Sequence, residues 1–325
     1  MMHISVLIIG AGPIGLSCGI EAKKQGITYR IIDKGCLVNS IHNFPTDMTF
    51  FSSSEKLEIG DVPFTSLAVR PSKREALEYY RRVADHHQLN LGLYEAFEGF
   101  SELAETKSAR FLVKTSKNEL TCDYIVNATG FYDAANEMNI PGEKLPKVQH
   151  YFTSAHHLFQ QKVAVVGASN SAVDVALEAF RKGAEVSLII RGKELGKSVK
   201  YWVRPDLEAR IKEGLIDVYF ETQIKEIKEG AIVIESQGSS RELENDFVFA
   251  MTGYHPNFKL FDVLGINSDS KGIPIYDEET MLTTHDCVYI AGVACGGKNT
   301  REWFIENSRD HGHKIMKHII EKNER

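Results

Sequence analysis

The chain has 325 residues, of which 43% are hydrophobic and 25% are charged, and its formal net charge is −6. This composition is typical of a globular protein with a large core, and the negative charge argues against general affinity for nucleic acid or anionic membranes. The sequence contains no run of 18 apolar residues and no recognisable secretory leader, so we expect a cytoplasmic protein without a membrane span.

The cysteine pattern argues against a disulfide-stapled or metal-binding protein. The chain has five cysteines, which are Cys18, Cys36, Cys122, Cys287 and Cys295. Their number is odd, their spacing is wide and no two form a CxxC pair. We therefore expect no disulfide framework and no metal site, and most of these thiols should be buried in a reducing compartment.

The first predicted element is a βαβ unit over residues 6–33, which contains an apolar strand, a complete GxGxxG turn, a helix and a second strand. Gly10 permits the tight turn, Gly12 lets the backbone approach a pyrophosphate, and Gly15 lets the helix pack on the strand. Asp33 ends the second strand, where a carboxylate can bind the hydroxyls of an adenosine ribose. The unit therefore predicts a dinucleotide site rather than an ordinary tight turn.

The next region lacks helix–strand alternation. Residues 43–64 are rich in Ser, Thr, Phe and Pro, and a helix is predicted over about 72–87. Strands are predicted near 109–114 and 122–128. The second of these ends in Thr129-Gly130, a type of strand end at which a chain can leave one dinucleotide domain and enter another.

A second βαβ unit over residues 163–191 echoes the first. Its turn, Gly167-Ala168-Ser169-Asn170-Ser171, is degenerate, because Ser169 adds bulk where the middle glycine would admit a phosphate. Its second strand ends in Arg191 rather than in an acid. Arginine can bind a 2′-phosphate through two hydrogen bonds, so we favour NADPH over NADH. Lys193 and further basic residues follow, although such runs are commonly solvated loops.

The chain closes with short strands predicted from 216 to 251, a second Thr-Gly strand end at 252–253, and a single helix over 299–322. The two Thr-Gly ends bracket the second βαβ unit. We therefore predict an α/β protein with two Rossmann-like domains, the second inserted into the first. The predicted domains are 1–135 with 253–325, and 136–252.

Together these residues resemble the two-dinucleotide-binding flavoprotein superfamily and, within it, the YpdA-type bacillithiol disulfide reductases. The resemblance covers essentially the whole chain, and its most specific stretch is 44–64. It implies FAD on the first domain, NADPH on the second, and a low-molecular-weight disulfide, bacillithiol disulfide, as the substrate. We also expect a homo-oligomer.

The resemblance and the motifs together define the expected cofactor contacts. For FAD they are Gly10, Gly12, Pro13, Ile14, Gly15, Asp33, Lys34, Thr49, Phe51, Ser52, Thr129, Gly130, Gly292 and Val293. For NADPH they are Gly167, Ser169, Asn170, Ser171, Arg191 and Lys193.

Three departures from related enzymes bear on the chemistry. Residues 151–157 lack the CxxC that thioredoxin reductases carry there, which argues against a dithiol relay. Gly292-Val293 replaces the Gly-Asp with which many members of the superfamily end their last FAD strand. Ile14 stands where the resembling family has a cysteine, so no thiolate can form there. His156 and Cys295 are the other catalytic candidates, and each also fits a packing or surface role.

Other functions compatible with this pattern are a flavin monooxygenase, which the loss of the cysteine at Ile14 favours, and a ferredoxin- or protein-coupled NADPH reductase. A redox sensor without turnover fits less well, because two nucleotide sites in one chain imply catalysis.

Overall fold

The computed structural model describes residues 2–103 and 109–324. The chain divides into two compact units. Unit 1 comprises Met1–Asn43, Met48–Ala134 and Tyr254–Arg325, and unit 2 comprises Phe44–Asp47 and Ala135–Gly253.

Both units contain helices and strands. The helices are α1 (Pro13–Lys24), α2 (Asn39–His42), α3 (Lys73–His86), α4 (Asn170–Arg181), α5 (Arg204–Lys212), α6 (Phe258–Val263), α7 (Ile305–Ser308) and α8 (His311–Asn323). Short 3₁₀ helices cover Ser54–Leu57, His156–Leu158 and Gly292–Gly296. The strands are β1 (Met2–Ile9), β2 (Tyr29–Asp33), β3 (Leu91–Leu93), β4 (Phe97–Glu102), β5 (Phe111–Thr115), β6 (Glu119–Asn127), β7 (Ala134–Ala135), β8 (Val148–Gln149), β9 (Lys162–Val166), β10 (Glu185–Ile189), β11 (Ile216–Tyr219), β12 (Thr222–Ile227), β13 (Ala231–Ser236), β14 (Ser239–Glu244), β15 (Phe247–Ala250), β16 (Tyr254–His255) and β17 (Val288–Ile290).

Unit 1 is built on a sheet with the strand order β3-β2-β1-β6-β5-β4, in which β17 pairs with the second half of β6. Strands β1, β2, β3, β6 and β17 pair in parallel, whereas β5 pairs antiparallel with both β6 and β4. The apolar run of β1 is continuous because parallel strands are covered on both faces. The carboxyl ends of the parallel strands meet at one edge of the sheet, where ligands bind in this type of fold.

Of the two helices predicted in the segments 72–87 and 299–322 of unit 1, the first is confirmed and the second is wrong. The helix predicted over about 72–87 is confirmed as α3, and Ser72 and Glu75 form a capping box at its start. The single helix predicted over 299–322 is wrong, because α7 and α8 are separate and residues 299–304 are not helical. The side chain of Asn307 accepts the N–H of Phe304 at 2.7 Å, so a new helix begins there instead of continuing an earlier one.

Unit 2 has three layers around a parallel sheet with the order β11-β10-β9-β15-β8. Alternate residues of β9 face opposite sides. Val163 and Val165 belong to a core with the side chains of α4, whereas Ala164 packs with the antiparallel strands β12, β13 and β14. The strands predicted between 216 and 251 are confirmed as β11 to β15.

Candidate cofactor sites

The first glycine-rich turn of unit 1 has the geometry that a dinucleotide site requires. Gly10 has a φ of +109° and donates its N–H to Ile32 O at 2.7 Å, and a Cβ at Gly10 would lie 2.5 Å from Ala128 O. A Cβ at Gly15 would lie 1.8 Å from Gly10 O. A Cβ at Gly12 would meet nothing within 4 Å. The fold therefore requires glycine at two positions, whereas Gly12 keeps open the approach that a phosphate would use.

Asp33 supports this turn from the end of β2. Its Oδ2 accepts the N–H of Ala11 and its Oδ1 accepts the N–H of Gly35, each at 2.8 Å. Burial raises the pKa of Asp33 above its ordinary value, and the two backbone hydrogen bonds oppose that rise. The carboxylate thus fixes the shape of the turn in addition to its expected contact with a ribose. The structural contact with Ala11 cannot be read from the sequence motif.

Two further strand ends converge on the start of α1. A Cβ at Gly292 would lie 3.2 Å from Ile14 Cβ, and a Cβ at Gly130 would lie 3.7 Å from Val293 Cγ2. The fold thus brings the predicted residues at positions 14, 130, 292 and 293 to the edge of the sheet that carries the Gly10–Gly15 turn. This is the set that a cofactor lying across the carboxyl ends of β1, β6 and β17 would meet.

Other predicted residues of unit 1 have defined partners within the protein. Lys34 Nζ pairs with Asp133 at 2.8 Å, and Thr129 Oγ1 donates to Asn127 Oδ1 at 2.8 Å. Ser52 Oγ donates to Glu306 at 2.5 Å, and Thr49 forms an isolated β-bridge with Ser72. Phe51 is 56% exposed. Asn127 and Glu306 were not among the predicted site residues. Asn127 lies two residues before its partner, whereas Glu306 lies 254 positions from Ser52, so that contact could not be predicted from the sequence.

His311, which was not among the predicted site residues, is buried in this region. Its side chain is 1% exposed, and its Nδ1 accepts the N–H of Gly292 at 3.1 Å. Burial lowers the pKa of His311 to about 4. The imidazole is therefore neutral at pH 7 and carries its proton on Nε2, which has no hydrogen-bond partner among the described residues.

Cys18 on α1 and Cys295 in the 3₁₀ helix after β17 are both buried. Cys18 is 0% exposed, and burial raises the pKa of its thiol to about 12. Cys295 is 1% exposed with its Sγ 3.9 Å from His311 Nδ1, and burial raises the pKa of this thiol as well. Neither environment favours a thiolate, so the structure supports a packing role for both cysteines. His156 is exposed on a 3₁₀ helix of unit 2, and its catalytic role stays a prediction.

The second glycine-rich turn repeats the geometry of the first within unit 2. Gly167 has a φ of +136° and donates its N–H to Ile189 O at 3.0 Å. A Cβ at Gly167 would lie 2.5 Å from Met251 O. In each unit the Thr-Gly strand end therefore follows a strand that runs beside the turn. The repeat seen in the sequence thus extends to a third strand of each unit.

The polar residues of the second turn are arranged around the start of α4. Ser169 is its N-cap, and Asn170 and Ser171 are its first residues. The side chain of Asn170 donates to Ser198 O and accepts the N–H of Lys200, two contacts that the sequence motif does not reveal. Arg191 is exposed beyond the end of β10, and Lys193 Nζ lies 3.8 Å from Glu221.

No helix in residues 2–103 and 109–324 has the length and apolar character needed to cross a membrane.

Comparison with known proteins agrees with this architecture. Residues 7–292 match the family model described as pyridine nucleotide-disulphide oxidoreductase. The chain therefore belongs to this class of flavin- and nicotinamide-dependent enzymes. Within the class it belongs to the Bdr (YpdA) family. It is 44% identical over 326 residues to bacilliredoxin reductase Bdr of Bacillus subtilis (strain 168), and the match covers 99% of each protein.

Solved structures show the same relationship. The chain is similar to bacillithiol disulfide reductase Bdr (YpdA) from Staphylococcus aureus, with 40% identity, a TM-score of 0.95 and 99% of each chain covered. It is also similar to the Bacillus cereus protein of the same name, with 42% identity, a TM-score of 0.95, and coverage of 99% of this chain and 100% of that one. The predicted fold class and the predicted family are confirmed.

Proposed function

We propose that this protein is an FAD-dependent NADPH oxidoreductase that reduces a low-molecular-weight disulfide, with bacillithiol disulfide as the substrate. The Gly10–Gly15 turn carries this proposal, because Gly12 leaves open space at the N-terminus of α1 where a cofactor phosphate would lie. The names of the solved relatives, bacillithiol disulfide reductase, supply the substrate. The balanced reaction converts NADPH, a proton and one disulfide into NADP⁺ and two thiols.

The roles of the residues follow from the two sites. Unit 1 would hold FAD along the ends of β1, β6 and β17, with Asp33 on the ribose. Unit 2 would hold NADPH at the start of α4, with Arg191 on the 2′-phosphate. Flavin supplies the two-electron chemistry, and the protein supplies placement and exclusion of water.

The coenzyme assignment predicts a selective effect of Arg191→Ala. The KM for NADPH should rise about tenfold, because a charge-assisted contact to the 2′-phosphate is lost, while the KM for NADH should change little. Steady-state kinetics with both coenzymes measure this. Arg181→Ala is the matched control, since it removes an arginine from the opposite end of α4, where it pairs with Asp206. Equal effects of Arg191→Ala on both coenzymes would remove the 2′-phosphate assignment.

The absence of a thiol at position 14 sets the expected route of disulfide reduction. Because Cys18 and Cys295 are buried as unreactive thiols, we expect electrons to pass from reduced flavin to the disulfide without an enzyme mixed disulfide. The test is mass spectrometry of the NADPH-reduced enzyme quenched during turnover of bacillithiol disulfide. Ile14→Cys, which restores the family cysteine, is the positive control for adduct capture.

The outcomes of this mass-spectrometry experiment distinguish the candidate functions. A substrate-thiol adduct on Cys18 or Cys295 that forms and decays at the turnover rate would show that a relocated thiol acts. If no thiol disulfide is reduced but dioxygen uptake is coupled to an oxygenated product, the monooxygenase function replaces the disulfide reductase function.

A protein disulfide is the second candidate substrate, because the Bacillus subtilis relative is named a bacilliredoxin reductase. Parallel turnover measurements with bacillithiol disulfide and with an oxidised bacilliredoxin decide between the two. A higher kcat/KM for the protein would assign a protein-coupled reductase.

A further inference from the structure

The loop between β10 and α5, residues 190–203, is tied to the glycine-rich turn of unit 2 by polar contacts. Asn170 Nδ2 donates to Ser198 O at 3.0 Å, and Asn170 Oδ1 accepts the N–H of Lys200 at 2.8 Å. Gly196 donates its N–H to Ala168 O at 2.8 Å. The loop therefore lies directly beside the turn and the first residue of α4.

A charge pair completes this attachment. Lys200 Nζ lies 2.8 Å from Asp174 Oδ2, and the side chain of Lys200 is only 12% exposed. Asp174 lies one helical turn after Asn170, so both anchoring side chains are on the same face of α4. Lys200 is thus held by its backbone and its side chain at once.

Two apolar side chains of the loop also pack in the core of unit 2. Leu195 is 4% exposed and Val199 is 6% exposed, and both belong to the core formed by the helical face of the parallel sheet. The loop presents exposed cations at Arg191 and Lys193, which precede these anchors, and at Lys197, which lies between them. The backbone on either side of Arg191 is also held, because Ile190 donates its N–H to Tyr219 O and Gly192 O accepts the N–H of Glu221, each at 2.9 Å.

We infer that Asp174 and Asn170 are positioning residues that determine the preference of this protein for a nucleotide with a 2′-phosphate. A loop that is already ordered loses little conformational entropy when its cations meet the phosphate, whereas a free loop must be ordered by the ligand. Asp174 acts through Lys200 and the loop and does not touch the nucleotide. This inference rests on the proposed NADPH site of unit 2.

The test uses Asp174→Asn in the holoenzyme, because two physical models predict opposite signs for it. Asp174 is a negative charge near an anion site, so simple Coulombic repulsion predicts that its removal tightens phosphate binding. Loss of the loop anchor predicts weaker binding. Isothermal titration calorimetry measures the Kd values of 2′,5′-ADP and 5′-AMP, and the difference between them isolates the contribution of the 2′-phosphate. We expect the Kd for 2′,5′-ADP to rise about fivefold and that for 5′-AMP to rise less than about twofold.

Limited trypsin digestion gives an independent readout of the anchor. Cleavage after Lys193 and Lys197 should be faster in Asp174→Asn than in the wild type, because the loop opens more often. Asp174→Glu, which keeps the carboxylate, should retain most of the preference. Glu185→Gln is the matched control, since it makes a carboxylate-to-amide change at the start of β10, the other end of the strand that leads into the loop.

The outcomes distinguish the inference from the proposed function. Unchanged or tighter binding of 2′,5′-ADP by Asp174→Asn would overturn the positioning role. If the wild-type protein binds 2′,5′-ADP no better than 5′-AMP, the NADPH assignment is wrong, and so is the inferred preference for a 2′-phosphate. The trypsin rates would then still show whether Asp174 anchors the loop.

Discussion

Replacing Gly15 by alanine is expected to lower the free energy of unfolding of unit 1 by about 3 kcal/mol. The added Cβ would lie 1.8 Å from Gly10 O, and a backbone atom cannot move aside as a flexible side chain can. Helix α1 must therefore shift away from β1. The chain has two tryptophans, Trp202 and Trp303, and Trp303 lies in unit 1. Denaturant unfolding followed by fluorescence in a Trp202→Phe background reports on unit 1 alone.

Gly12→Ala is the matched control, and it should separate folding from cofactor binding. Gly12 has a φ of −74°, which alanine adopts readily, and its added Cβ would meet nothing within 4 Å. The stability of the cofactor-free protein should therefore be unchanged or slightly higher. Its affinity for FAD should fall by about tenfold or more, because the methyl group stands where the pyrophosphate approaches.

Two results would contradict this pair of expectations. If Gly15→Ala has the same midpoint of denaturant unfolding as the wild type, the close approach of α1 to the turn does not determine the free energy of unfolding of unit 1. If Gly12→Ala retains full FAD affinity in a flavin fluorescence titration, the cofactor phosphate does not lie at this turn, and the proposed FAD site is wrong.

The sequence predicts features that repeat locally. Each βαβ unit has its strand, turn and helix within about thirty residues, so glycine spacing and apolar runs are enough to locate the turns at Gly10 and Gly167. The Thr-Gly strand ends also had a recognisable pattern, although only the structure shows that each follows a strand running beside its turn. These parts of the fold depend on backbone geometry, which a short motif encodes.

The sequence could not predict contacts between distant segments. His311 meets Gly292 through a hydrogen bond across 19 positions, and Ser52 meets Glu306 across 254 positions. The amide of Asn170 bonds the 190–203 loop, a contact that its place in the glycine-rich motif does not reveal, and its contact with a cofactor stays a prediction. The start of α7 at Ile305 is fixed by the side chain of Asn307, which accepts the N–H of Phe304, and apolar periodicity does not reveal this contact.

The second large effect concerns acid stability and depends on His311. In the folded protein, burial lowers the pKa of His311 from its ordinary 6.5 to about 4. Between these two values the unfolded chain binds a proton that the folded chain does not, so the free energy of unfolding must decrease as the pH falls from 6.5 to 4. The contribution of this one residue to the decrease should reach about 3 kcal/mol. Above pH 6.5 the residue is neutral in both states and contributes no slope.

His311→Asn tests this, because asparagine can place an oxygen near the position of Nδ1 to accept the Gly292 N–H but cannot titrate. Denaturant unfolding of both proteins, followed through Trp303 at several pH values, gives the difference in slope. The carboxylates titrate in both proteins and cancel in that difference. The Sγ atom of Cys295, a thiol whose pKa is raised by burial, lies 3.9 Å from Nδ1 of His311, and the charge of Lys314 adds to the lowering of the pKa of the imidazole. A wild type and variant with parallel pH dependence between 6.5 and 4 would show that His311 is protonated in the folded protein. The hydrogen bond from Gly292 to Nδ1 would then be lost when the imidazole is protonated, and the turn after β17 would have to be held in another way at acid pH.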